Sequence, residues 1–178
     1  MKKFMAWICV LMLIVSLTSC GKQQSQEELE AWEAAEIERV SYLLSGRFYD
    51  ADGNYFRLSN KSVSGRPIVM HFWATRNPES VQGLVAFEEA YEKYGDEVLF
   101  LMINAFNGTD DTMMDAIELI KEKNYTFPVF YDRGGEMQKM DITTFPYTLF
   151  LDKRGEVIHV RNTQLEATEI GELIQDIR

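Results

Sequence analysis

From Ile68 to Ile177 the chain alternates short, apolar, β-prone runs with longer segments of helical character, and no other feature restricts the fold so strongly. The short runs are Ile68–Trp73, Val98–Ile103, Val129–Tyr131, Tyr147–Leu151 and Val157–Val160. Glu79–Tyr94, closed by Gly95, reads as a helix, and so does the closing segment Leu165–Ile177. Asp110 and Asp111 are expected to open a further helix running to about Lys123, with their charges at the positive end of its dipole. The last two runs pair across Lys153-Arg154-Gly155. This order predicts an α/β fold of three layers around a central mixed sheet. Upstream, Arg47-Phe48-Tyr49 and Tyr55-Phe56-Arg57-Leu58 flank Asp52-Gly53, which predicts an N-terminal β-hairpin extension. The Asp50–Asn54 turn lacks the alternating ligands and closing Glu of a calcium loop.

At 178 residues, with 46% hydrophobic and 26% charged side chains, the chain has the size and composition of one globular domain. Eighteen basic residues stand against 28 acidic ones, a net charge of -10, which excludes nucleic acid as the expected partner because phosphate backbones need clustered Lys and Arg.

The N-terminus carries a different kind of information. Lys2 and Lys3 precede an almost wholly apolar stretch from Phe4 to Leu17, the layout of a secretory signal and shorter than the roughly 20 residues that span a bilayer. It ends in Leu17-Thr18-Ser19-Cys20, which resembles a bacterial lipobox. On that reading residues 1–19 are a lipoprotein signal peptide and Cys20 is the lipidation site. Residues 20–45 are then a lipid-anchored tether with a helical segment, and 46–178 the folded domain. The other reading is an ordinary signal whose cleavage site ends in Cys. Either way the protein is exported, and a lipid on Cys20 would hold this acidic domain at the outer side of a membrane. Glu27–Leu44 is either a helix packed on the domain or a spacer.

Gly65-Arg66-Pro67-Ile68-Val69-Met70-His71-Phe72-Trp73-Ala74-Thr75 resembles a strand of the thioredoxin-like superfamily, in particular the membrane-anchored TlpA/ResA type, where it reads G-K-P-V-V-L-N-F-W-A-T and leads into W-C-P-P-C. The resemblance continues through Phe87–Tyr94 and Phe127-Pro128-Val129. It reaches Thr144-Phe145-Pro146-Tyr147-Thr148-Leu149-Phe150-Leu151-Asp152, which matches the family's cis-proline loop and next strand. It implies a thioredoxin-like fold and, by family, thiol-disulfide oxidoreductase or redoxin activity. The departures contradict that activity. Where the family has W-C-P-P-C this chain has Arg76-Asn77-Pro78-Glu79-Ser80, so both cysteine positions are filled, by Asn77 and Ser80. Disulfide exchange needs a thiolate, and the chain's two cysteines are Cys9 and Cys20.

The remaining residues at this site make local sense without chemistry. Asn77 is a favourable N-cap, Pro78 suits the first helical position, and Glu79 suits the dipole. Alternatively Asn77, Pro78 and Ser80 hold a carboxylate or a peptide carbonyl at the helix start. His71 falls where the superfamily has a buried Asp and the TlpA-like group often Asn. It is a core residue, or else a ligand or pH-responsive group. Phe145-Pro146, if cis as in the family, exposes backbone that can pair with an extended peptide, and Trp73 lines either that groove or the core. Met70, Met102, Met113, Met114, Met137 and Met140 read as core filler rather than a copper site. No cofactor or metal is expected. The expected partners are an exported protein or peptide and, through Cys20, the membrane.

Overall fold

The computed structural model describes residues 25–43, 45–58, 65–106, 108 and 111–178. The signal segment, Cys20, residues 21–24 and 44 of the expected tether and helical segment, and Asp110 lie outside them. The chain divides into two compact units, residues 1–31 and 32–178. The described part of the first opens helix α1 (Gln26–Leu43). There the Ser25 hydroxyl accepts from Glu28 N–H at 3.2 Å and the Glu28 carboxylate from Ser25 N–H at 3.0 Å, a reciprocal cap.

In the second unit the strands are β1 (Gly46–Tyr49), β2 (Tyr55–Leu58), β3 (Ile68–Trp73), β4 (Leu99–Asn104), β5 (Val129–Tyr131), β6 (Tyr147–Leu151) and β7 (Val157–Arg161). The helices after α1 are α2 (Pro78–Tyr94), α3 (Met113–Lys123), α4 (Glu136–Lys139) and α5 (Ala167–Ile177). Among the described residues the strands form one mixed sheet in the order β2-β1-β5-β4-β3-β6-β7. The pairs β3–β4 and β4–β5 are parallel and the others antiparallel. The β1–β2 hairpin turns through Gly53, whose φ of +88° favours glycine.

Alternate residues of the central strands feed two cores, which is why these strands read as continuous apolar runs. Val69, Trp73, Phe100, Met102 and Phe150 pack with Phe87 of α2, Ala116 of α3 and Ile170 and Ile174 of α5. Ile68, Met70, Phe72, Leu101, Ile103 and Leu149 pack with Val40 of α1 and Met137 of α4. The layers are therefore helix, sheet, helix, as the alternation predicts. Met70, Met102, Met137 and Met140 are buried core residues, whereas Met114 is 56% exposed.

Asp111 departs from expectation. The helix it was expected to open begins at Met113, capped by Thr112 in a reciprocal pair with Asp115. Asp111 is instead buried, 3% exposed, and accepts a hydrogen bond from Arg76 N–H at 3.2 Å. Thr112 with Asp115 satisfies two orphan donors of the helix, which a carboxylate one residue earlier does not.

From Trp32 onward α1 lies on the unit and closes the β7 edge. The Glu33 carboxylate accepts from the Val160 N–H at 3.1 Å, the Arg161 guanidinium at 2.5 Å and His159 Nδ1 at 3.0 Å. A helix carboxylate thus satisfies an outward-facing donor of an edge strand. Arg39 donates to the Met140 carbonyl at 2.6 Å, and the Tyr147 hydroxyl donates to Glu36 at 2.6 Å. Hydrogen bonds from Arg39 hold the Glu36 carboxyl below its usual range, while burial first and Glu36 second push the Tyr147 phenol up. Glu33→Ala removes the acceptor from the Val160 N–H and from Arg161. It should cost about 1–3 kcal/mol in thermal unfolding and speed hydrogen exchange from Trp32 to Val40. Unchanged exchange there would remove Glu33 as the latch.

Candidate functional site

The chain leaves β3 at Trp73 and turns through Ala74–Asn77 into α2, and contacts from three other segments pin this turn. Asn77 N–H bonds the Ala74 carbonyl at 3.1 Å within the turn itself. Asp111 holds the Arg76 N–H, and Asn104, at the end of β4, donates to the Thr75 hydroxyl at 3.4 Å. The third segment is the loop before β6, where the Phe145 carbonyl accepts from Asn77 Nδ2 at 3.1 Å. The same Asn77 side chain caps α2, its oxygen accepting from Ser80 N–H at 2.8 Å, with Pro78 in the first turn. Asn77 therefore does two jobs at once: it starts the helix and clips the Phe145 loop to it. The Phe145–Pro146 peptide bond is cis.

This clip decides what the site offers a ligand. Both polar ends of the Asn77 side chain are already engaged within the protein. Ser80 is fully buried, and its hydroxyl has no hydrogen-bond partner among the described residues. Trp73 is fully buried in the core shared by α2 and α5, so its ring does not line a surface groove. What reaches solvent is Arg76, Pro78, Glu79, Thr143, Thr144 and parts of Asn77 and Phe145. The Phe145 N–H has no partner among the described residues. An open donor beside a half-exposed ring is what an extended peptide needs for one rung of strand pairing.

His71 is also inside, 1% exposed. Its Nδ1 lies 2.9 Å from the Thr148 hydroxyl on β6, its strand neighbour in register, and its ring lies 3.9 Å from that of Phe87. Burial pushes its pKa down to about 3, so the imidazole is neutral at physiological pH. Nε2 has no partner among the described residues, and no hydrogen bond joins His71 to Ser80. A serine hydroxyl without a base in reach is not an activated nucleophile.

The structure thus brings Pro78 and parts of Asn77 and Phe145 together at the surface, and places Pro146, His71, Trp73 and Ser80 in the interior behind them. Sequence reasoning missed Asp111, Asn104 and Thr148, the polar residues that fix this arrangement. Thr148 carries a readable signal, as a polar residue inside an apolar run. Asp111 and Asn104 carry none. An open groove of about 460 Å³ between α2 and α5, flanked by Glu89, Lys93, Gly171 and Gln175, lies at the opposite end of α2 from this site. Among the described residues no cluster of three His, Cys, Asp or Glu is placed to hold a metal ion, and no helix is long and apolar enough to cross a membrane.

Comparison with known proteins gives the family and the fold. The family model described as Redoxin matches residues 39–174. The thiol-disulfide oxidoreductase ResA of Bacillus thuringiensis is 24% identical, over 99% of each chain. In the crystal structure of StoA from Bacillus subtilis, identity is 24% and the TM-score 0.62, covering 73% of this chain and 96% of that one. The exposed lipoprotein thioredoxin of Streptococcus pneumoniae superposes with a TM-score of 0.62 at 21% identity, covering 74% of this chain and 98% of that one. The α/β architecture, with its mixed sheet and N-terminal hairpin, is the thioredoxin-like fold.

Proposed function

The chain belongs to the Redoxin family, and from that premise we propose that it is a redox-inactive, membrane-tethered lipoprotein that binds an exported protein or peptide. One observation carries the reading. At the start of α2, where the family resemblance expects two thiols, Asn77 and Ser80 make a cap without a thiol, while the adjoining Phe145 backbone has an N–H with no partner among the described residues. The scaffold for holding an extended chain is assembled, and the sulfur chemistry is not. Lipidation at Cys20 and placement on the outer side of a membrane rest on the Leu17–Cys20 motif.

The relatives' names favour a second reading, thiol-disulfide oxidoreductase. That reaction needs a thiolate at the site, and residues 21–178 contain no cysteine. An insulin-reduction assay on the purified protein should therefore read zero.

The binding reading is tested by photo-crosslinking. A benzophenone amino acid at exposed Thr144 should capture exported protein, whereas one at exposed Lys153 should not. Asn77→Asp keeps the acceptor for Ser80 N–H but loses the donor that positions Phe145. Capture should fall about 5- to 10-fold, the worth of one well-placed hydrogen bond. Equal capture from both positions, or capture indifferent to Asn77→Asp, would sink the assignment.

A further inference from the structure

The β1–β2 hairpin has two chemically opposite faces. Phe48 and Phe56 point inward, Phe48 against Phe72 and Phe56 against Phe130, each pair with ring centroids 6.1 Å apart. The register sets Arg47 opposite Arg57 and Tyr49 opposite Tyr55, and the two-residue period of a strand puts all four on the other face. Both arginines are exposed, and Tyr55 is 57% exposed. The Arg47 guanidinium lies 5.6 Å from the Tyr55 ring centre, and Arg133, from the loop after β5, lies 5.7 Å from that of Tyr49.

This face runs against the charge balance of the molecule. Arg39, Arg154, Arg161 and Arg178 each pair with a carboxylate. Arg47, Arg57 and Arg133 pair with none among the described residues, although the chain has 28 acidic side chains. Like charges directly opposite across a strand pair are destabilising, so Arg47 opposite Arg57 costs stability until an anion lies between them. Nearby carboxylates do not serve. Asp50 accepts from the backbone and side chain of Asn54, and Asp132 from the N–H groups of Gly134, Glu136 and Met137. Asp52 sits at the tip of the turn, roughly 10 Å or more along the strand from the arginine pair.

We propose that this hairpin face docks on the phosphate headgroups of an anionic phospholipid surface, an inference that rests on the lipoprotein reading for its proximity to a membrane. Paired guanidiniums present forked donors that match phosphate oxygens, and flanking tyrosines suit the boundary between water and acyl chains. The net charge of -10 does not forbid it, because at physiological salt charges beyond about 8 Å from the surface are screened.

Hydrogen exchange on the full chain, bound to vesicles of phosphatidylcholine with or without phosphatidylglycerol, tests the proposal. With phosphatidylglycerol the amides of residues 46–58 should exchange about tenfold more slowly, and about 0.5 M salt should erase the difference. Arg47→Ser with Arg57→Ser should abolish it while leaving the melting temperature unchanged or raised, since the altered side chains are exposed. Equal exchange on the two vesicles, or protection that survives the double substitution, overturns the proposal. So does equal protection by soluble glycerophosphate, which would mark a free-phosphate site, or protection by polyglutamate alone, which would mark an acidic protein partner. The lipid anchor is measured separately, by the intact mass at Cys20. Because both vesicles bear the same protein, either reading can fail without the other.

Discussion

Asn77→Cys combined with Ser80→Cys should give this domain dithiol oxidoreductase activity. The two positions span the first turn of α2, which is closed by a 3.1 Å bond from Val81 N–H to the Asn77 carbonyl. One helical turn brings their Cα atoms to roughly 5–6 Å, within the range a disulfide bridges. A thiol at position 77 would sit at the positive end of the helix dipole, where cysteine pKa values fall toward 7. It would then be about half ionised at neutral pH, against a few per cent for an ordinary thiol. The change at position 80 costs little, because the Ser80 hydroxyl is buried without a partner among the described residues and sulfur tolerates such a site better than oxygen. The change at 77 gives up the cap and the clip to Phe145, a loss of about 1–2 kcal/mol that a folded domain can carry. In a Cys20→Ser background, insulin reduction driven by dithiothreitol should rise clearly above the reagent blank for the double variant. The parent and both single variants should stay at the blank. Asn77→Cys alone, with no second thiol to resolve it, should trap partners as mixed disulfides. A folded double variant that neither closes its disulfide nor turns over would show that more than sulfur has been lost from this site.

The elements that the chain announces are those whose reason is local. Ile68–Trp73 and Tyr147–Leu151 form strands with the expected ends because both faces of each are buried, so nearly every residue must be apolar, and the half-buried Val129–Tyr131 also keeps its expected ends. The cap at Asn77-Pro78 is likewise written within four residues. Failure begins where the reason is distant or too short to repeat. Helix α4 has four residues, about one turn, and buried Met137 with the buried cap Met140 makes a single i, i+3 step, too short to establish a rhythm. Asp111 looks like a helix opener until the fold brings Arg76 to it from 35 residues away. Asn77 meets Phe145 across 68 residues, and Glu33 meets Val160 across 127. The candidate site was therefore legible as a set of positions. Its working geometry, in which one amide holds both helix and loop, was not.

The second large effect belongs to His71 and appears as pH falls. Buried against Phe87 and Thr148, its imidazole has a pKa of about 3 in the folded protein, set by burial, against about 6.5 when unfolded. Between those values the unfolded chain takes up a proton that the folded one refuses, so stability rises with pH across this window. The contribution is complete above pH 6.5 and declines as pH drops toward 3. From pH 7 to 4.5 the loss is about 3 kcal/mol, a large fraction of the stability of an ordinary domain. His71→Asn removes the titration while keeping a polar group that can face Thr148. At pH 7 this variant should be about 1–2 kcal/mol less stable, because a smaller side chain leaves space beside Phe87. Its urea midpoint should then fall less steeply than that of the parent as the pH is lowered, so that the two curves converge or cross near pH 5. Carboxylates such as Glu36, whose depressed pKa also makes acid destabilising, are common to both proteins and cancel in the difference. Parallel curves from pH 7 to 4.5 would mean that the protein opens a path for a proton to His71 at little cost. The imidazole would then be a responsive group behind the Asn77–Phe145 clip rather than a neutral filler of the core.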